Sequence, residues 1–368
     1  MKKLSLTIAV LMLTLLLTSC EPIGEVQRRL VVHAIGIDPH EKGYEVSYQV
    51  FSGGEASDSG PVDASESTVI TLLAQGRTLY EAEESLRLQT GKEIFLGDTE
   101  LVVISEDLKD DDLLGFMQYF RNADVYLGVN VVYCRGTARD TIGTKLKQGS
   151  ATAILLRGVV ENAIKGGRAC SARIIEIANA LTEDNEAIAV PILSLEKSGD
   201  EEEDKTISDL TLGVFASMLV SEGAPPLELD ENDTMGLRLL RGDVKEMSLE
   251  VMTEEGVASV EIKEMKIKRK PSIENGAPLV KINISGRYVV KYSPSDVSDE
   301  KIKEAAEKQL LWLCEKGYDA SRRSGEDLFK LEKILTKYES EYAAEQHGDF
   351  KEAISKTVFY AFARLSKY

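Results

Sequence analysis

Leu101-Val102-Val103-Ile104 is an uninterrupted apolar run of strand length, and its reading decides the fold class of this chain. Alternate side chains of a strand point to opposite sides of a sheet, so a run apolar at every position needs cover on both faces. Residues 110–120 follow with helical periodicity and three carboxylates, Asp110-Asp111-Asp112, in the first turn, where negative charge favours the positive end of a helix. A second apolar run at 125–133 reads as another central strand. Strands alternating with helices give an α/β layer.

Working outward, residues 30–38 and 44–51 are β-rich runs joined by Pro39-His40-Glu41-Lys42-Gly43, a turn-forming cluster, and read as a hairpin. Residues 52–67 hold little to bury and read as an exposed loop; 68–74 is a further strand. Thr78 and Glu81 have capping-box spacing, and Leu79, Ala82, Leu86 and Leu88 supply an apolar stripe for a helix to about Thr90. On the other side, 137–147, 151–165 and 170–181 show helical periodicity, and three consecutive helices are expected to pack over the sheet. Residues 188–195 return to strand.

A chain of 368 residues exceeds what one core usually serves. The charged run at 197–205, with Asp200-Glu201-Glu202-Glu203-Asp204 inside it, marks a boundary after an N-terminal α/β domain, 20–196. Short strands with turns at Gly223, 230–233, Gly242 and Gly256 suggest a small β-rich middle domain, 206–270, followed by a linker at 271–278. A C-terminal α/β domain, 276–368, takes a strand at 279–292, helices at 299–315 and 325–345, and an apolar end at 350–365. The expected fold class is α+β, or mixed α/β: two to three packed units with mixed β-sheets covered by helices.

Residues 1–19 read as a lipoprotein signal peptide. Lys2 and Lys3 form its positive start, and the apolar run from Leu4 to Leu17 is too short for a comfortable membrane span. It closes on Leu17-Thr18-Ser19-Cys20, small residues before a thiol that can take a diacylglyceryl group, which looks like a bacterial lipobox and makes Cys20 the lipidation site. Two acyl chains anchor firmly without a transmembrane helix.

The net charge is −18 and the longest basic run, 263–270, still contains Glu264, so nucleic acid is excluded as a partner. The acidity is expected to give solubility and to repel anionic headgroups, holding the body off the bilayer except where a partner recruits it. With Cys20 acylated, Cys134, Cys170 and Cys314 remain, an odd number widely spaced, and read as buried free thiols. His33, His40 and His347 are scattered, and no metal or cofactor motif is expected. Ser194-Leu195-Glu196-Lys197 matches S-x-x-K, but a strand running into an acidic loop does not give the buried helix start that a serine nucleophile needs. Asp110-Asp111-Asp112 and the Asp230, Asp233 pair lack calcium-loop spacing, and Gly166-Gly167 before Arg168 reads as a helix end. Trp312 sits in a helix expected to face a core. No catalytic residue is assigned and the chain is read as a non-enzyme.

Particular residues resemble the Ger(x)C family, the lipoprotein C subunits of nutrient germinant receptors in spore-forming bacteria. They are Ala34-Ile35-Gly36-Ile37-Asp38 with 43–50, Gly76-Arg77-Thr78-Leu79-Tyr80-Glu81-Ala82, the stretch 93–108, Phe120-Arg121-Asn122-Ala123-Asp124-Val125, Gly213-Val214-Phe215, Met235-Gly236-Leu237-Arg238-Leu239-Leu240 and Gly242-Asp243-Val244. Asp98 stands where the family usually carries histidine. The resemblance implies a receptor subunit on the outer face of the inner spore membrane, with two integral membrane partners, one of them transporter-like, acting by assembly. The rival reading is a solute-binding lipoprotein of an import system, which would show βα alternation in both lobes.

Overall fold

The computed structural model of the chain describes residues 29–52, 68–108, 110–146, 149–150, 153–182, 187–197, 210–221, 226–294, 297–346 and 350–368. The expected leader, Cys20, the acidic run at 200–204, Gly223 and His347 lie outside the described residues.

The chain opens with β1 (Arg29–His40), β2 (Gly43–Ser52) and β3 (Thr68–Gly76), then α1 (Leu79–Thr90), β4 (Glu93–Phe95), β5 (Leu101–Ser105) and α2 (Asp110–Asn122). Next come β6 (Asn130–Cys134), α3 (Ala138–Gly143), the short strands β7 (Lys145–Leu146) and β8 (Gly149–Ser150), α4 (Ala153–Lys165) and α5 (Ile174–Ala180). β9 (Ala187–Lys197), β10 (Leu210–Ser221) and β11 (Leu227–Asp230) follow. All but β7 and β8 of these strands form one nine-stranded sheet in the order β11-β10-β9-β6-β5-β1-β2-β3, with β4 beside β1. Its centre is parallel and its two flanks are antiparallel.

β5 behaves as its sequence requires. Leu101 and Val103 point into a core with α3 and α4, and Val102 and Ile104 into a second core with α1, α2 and α5, all four buried. The three consecutive helices expected over the sheet all pack on it, α3 and α4 on one face and α5 on the other. Ile174 and Ile177 of α5 pack with Phe120 of α2, on the side opposite α4, because the chain crosses the sheet end between Lys165 and Ile174.

The remaining elements are α6 (Glu231–Arg241), β12 (Met247–Thr253), β13 (Gly256–Glu274), β14 (Ala277–Tyr292), α7 (Asp299–Ser324), α8 (Leu331–Tyr338), α9 (Ser340–Glu345), α10 (Lys351–Lys356) and β15 (Val358–Lys367). A four-stranded sheet, β12-β13-β14-β15, is antiparallel except for its last pair and carries α6 and α7 on one face. It is not a lobe of alternating β and α.

Two sequence expectations are corrected here. The stretch 206–270 is not a separate middle domain. β10 pairs with β9 along its length and belongs to the large sheet with β11, whereas β12 and β13 belong to the small one. The 271–278 linker is a hairpin. Asn275 and Gly276 take φ values of 52 and 75, the two positive values of a tight primed turn, so Glu274 pairs with Ala277. Pro271 misled the reading. It sits in β13 beyond Ile262, where pairing with β12 has ended and β13 has β14 as its sheet neighbour, the situation in which a strand tolerates proline.

α7 also runs past Glu315 to Ser324, closed by Gly325 in left-handed geometry with φ 72. Gly317 does not end it, because that glycine makes a packing contact.

Candidate functional site at the junction of the two sheets

β11 leads directly into α6, whose N-cap is Asp230. Its carboxylate accepts from the Asp233 backbone N–H at 2.7 Å. The face α6 presents is apolar through Met235, Leu237, Leu239 and Leu240, so the helix sinks into the core of the small sheet while remaining tied to the large one. A Cβ on Gly236 would lie 2.5 Å from the Gly317 nitrogen, and one on Gly317 would lie 2.5 Å from the Leu237 nitrogen. The two helix backbones touch.

Arg238 is buried and stitches the two parts together. Its Nε donates to Asp243 Oδ1 at 2.8 Å and its Nη2 to the Asp243 carbonyl at 3.1 Å. Nη1 donates to the carbonyls of Ile164 and Ala169, the latter at 2.6 Å, which close α4 and the turn after it. A guanidinium suits this place because its fork can satisfy several acceptors at once without shedding its charge. Arg241, one turn on, donates to the Leu328 carbonyl at 2.6 Å and the Ala187 carbonyl at 3.3 Å. Asp233, buried, pairs with Arg323 of α7.

Beside these contacts lies a cleft of about 390 Å³ walled by Cys170, Glu176, Arg241, Asp243, Arg269 and Lys330. Arg269 donates to the Phe329 carbonyl at 2.9 Å, and burial pulls its pKa below the usual arginine value. Burial pushes the Cys170 thiol up, so it stays protonated and is not a nucleophile. Asp327 caps α8, accepting from the Leu331 and Glu332 N–H groups at 2.8 and 2.9 Å, and burial raises its pKa. The junction joins the two sheets through charge-assisted contacts, many of them to backbone carbonyls, beside a cleft walled by both arginines and carboxylates.

The other sequence candidates fall elsewhere. Ser194 lies within β9 opposite Gly213, in mid-strand and not at the start of a helix. Asp112 accepts from the Tyr44 hydroxyl at 2.6 Å. Gly167 ends α4 with φ 80, and Arg168 pairs with Glu231 at 3.1 Å, bridging to α6. His33 sits at the bulge in β1, and His40 Nδ1 accepts from the Lys42 N–H at 3.5 Å. Cys134, Cys170 and Cys314 are buried and unpaired. Trp312 does not face a core. It is 38% exposed and walls a cleft with Met252 and Lys308, because Leu310, Leu313 and Cys314 take the buried stripe of α7. Among the described residues, no three His, Cys, Asp or Glu side chains gather as metal ligands.

Sequence reasoning quoted Gly236 and Arg238 without giving them a role. The available signal was a glycine and an arginine inside an otherwise apolar helical stretch, each asking for a packing or pairing reason.

Residues 24–195 match the family described as Spore germination protein N-terminal domain, and residues 227–361 match Spore germination B3/GerAC like, C-terminal. The chain belongs to the Ger(x)C spore germination family. It is 23% identical over 348 residues to Spore germination protein KC of Bacillus subtilis (strain 168), covering 86% of this chain and 82% of that one. The crystal structure of the GerBC protein shares the fold, with a TM-score of 0.56 at 16% identity, covering 90% of this chain and 96% of that one. As in other Ger(x)C proteins, its role lies in spore germination.

Proposed function

We propose that this Ger(x)C protein is the membrane-tethered lipoprotein subunit of a nutrient germinant receptor. Diacylglyceryl at Cys20 holds it on the outer face of the inner spore membrane, and it works by assembly with two integral membrane subunits, one of them transporter-like. The observation that carries this reading is the order of parts: a lipobox, then both family regions in sequence along the chain. Among the described residues no helix is long and apolar enough to cross a membrane, so a tether has to supply the attachment in this reading. Confinement to the membrane plane raises the effective concentration of the body against its neighbours, which gives an assembly role without a catalytic group. The junction between the sheets is then the route by which a push on one part reaches the other.

The test is Cys20→Ala in spores. Loss of the protein from the inner membrane fraction and a weakened nutrient response are expected, with mass spectrometry of the wild type finding a diacylated N-terminal cysteine. Normal retention and germination in the variant would refute the scheme.

A further inference from the structure

The outer face of the small sheet, away from α6 and α7, divides into two halves of different charge. Near β12, its basic residues are neutralised: Lys263 and Lys291 pair with Glu261 at 3.2 and 2.8 Å, and Arg287 pairs with Glu264 at 3.3 Å. Beyond the bulge at Glu264 the pattern changes. Lys266, Lys268 and Lys270 of β13, Lys281 of β14 and Arg364 of β15 are all exposed on this face, and none has an ion-pair partner among the described residues. Lys270 and Lys281 stand directly opposite one another across the strands, an arrangement of like charges that costs stability in isolation.

Beside them, β15 offers apolar side chains to solvent. Val358, Tyr360 and Phe362 are 44%, 51% and 54% exposed, and Tyr360 and Phe362 lie next to Lys281 and Asn283. The six residues from Val358 to Ala363 carry no charge, proline or glycine, and this is the edge strand of the sheet. Uncovered edges of this composition are ones that proteins ordinarily guard. At the rim of the face a cleft of about 840 Å³ runs between β13 and α8, with Lys330 and Lys337 exposed along it and Glu339 as its one carboxylate.

We propose that this face is a second membrane contact, seated on anionic phospholipid headgroups. Aromatic and aliphatic side chains flanked by unneutralised lysines match the chemistry of a bilayer interface, where each cation near an anionic surface adds attraction and the rings sit among the headgroups. A chain of net charge −18 is repelled by such a surface over most of its own, so one cationic face sets the direction in which the body lies. The proposal rests on the tethered reading above, since the tether brings the face within reach of the bilayer.

The experiment uses the lipidated chain loaded on phosphatidylcholine vesicles and on vesicles containing phosphatidylglycerol, read by amide hydrogen exchange. Retention on neutral vesicles reports the tether alone; if the protein does not stay on them, the tethered reading has failed and not this one. On anionic vesicles the β15 amides are expected to exchange at least about tenfold more slowly than on neutral ones, with high salt abolishing the difference. Lys268→Glu with Lys270→Glu and Lys281→Glu should remove the protection while leaving the buried amides of β5 unchanged. Tyr360→Ala with Phe362→Ala should weaken it, with the salt dependence kept. Equal exchange on both vesicle types overturns the proposal, as does protection of β15 that appears only when integral membrane proteins are added, which would assign the face to a protein partner.

Discussion

Gly236 and Gly317 bring α6 and α7 together with backbone against backbone, and neither helix has room for a methyl group at the crossing. An alanine in a helix interior is ordinarily about 1 kcal/mol better than glycine. Here the crossing decides the sign, because overpacking a rigid backbone contact costs about 1–3 kcal/mol or more. Gly236→Ala and Gly317→Ala should each lower the urea midpoint. Gly115→Ala in α2, where a Cβ meets nothing within 4 Å, should raise it.

Arg238→Met keeps the volume and removes the fork. The carbonyls of Ile164, Ala169 and Asp243 lose a buried donor, and the Asp243 carboxylate loses its partner. Because Asp243 is half exposed, the loss comes chiefly from the buried carbonyls left without a donor, about 1–3 kcal/mol. Chemical denaturation should show that loss, and limited proteolysis should now cut near Gly167, where the turn after α4 loses its tie to α6.

Burial pushes the thiols of Cys134 and Cys314 up to about 12, and raises that of Cys170 as well. A protonated, enclosed thiol is a poor nucleophile. Titration of the folded protein with an aromatic disulfide reagent near pH 8 should find all three unreactive, and denaturant should release them together. Rapid reaction of any one in the native state would contradict the packing.

The centre of the fold was legible because the signal there is dense. Leu101–Ile104 is apolar at every position and buried on both sides, and the helix start at Thr78 is written in its own side chains, with the Glu81 N–H donating to Thr78 Oγ1. Asp38 lay inside a quoted strand, yet nothing local announced that its carboxylate caps a helix a hundred residues on. What failed were readings that depend on distant partners. The helix read as 299–315 runs on to Ser324, and the glycine just past 315 is explained only by Gly236 lying against it. Pro271 reads as a linker until β12 is known to end its pairing at Ile262. The junction follows the same rule: many of its bonds run to main-chain carbonyls, which carry no sequence signature.

Asp38 accepts from the N–H groups of Ala138 and Arg139 at 2.6 and 2.9 Å, fixing β1 to the start of α3. Burial raises its pKa above 3.8 and outweighs the lowering by those two bonds. An acid with a raised folded pKa binds its proton more tightly folded than unfolded. Its contribution to stability therefore falls as pH rises from 3.8 through the folded value, and is level above it. Asp38→Asn should lose about 1–2 kcal/mol through a weakened cap. It should also abolish that part of the slope, so the gap between wild type and variant narrows as pH climbs out of the acid range. A constant gap in denaturation curves across that range would show that the carboxyl does not titrate as described.

The large sheet is closed on one flank by β10 and β11, which are encoded after residue 209. During synthesis, the first two hundred residues therefore emerge with one side of β9 unpaired, until the next stretch arrives. The natural unit of maturation is longer than the first region of sequence kinship, which stops at 195. A form truncated there would leave an unpaired strand edge, the feature that makes folding intermediates prone to aggregate.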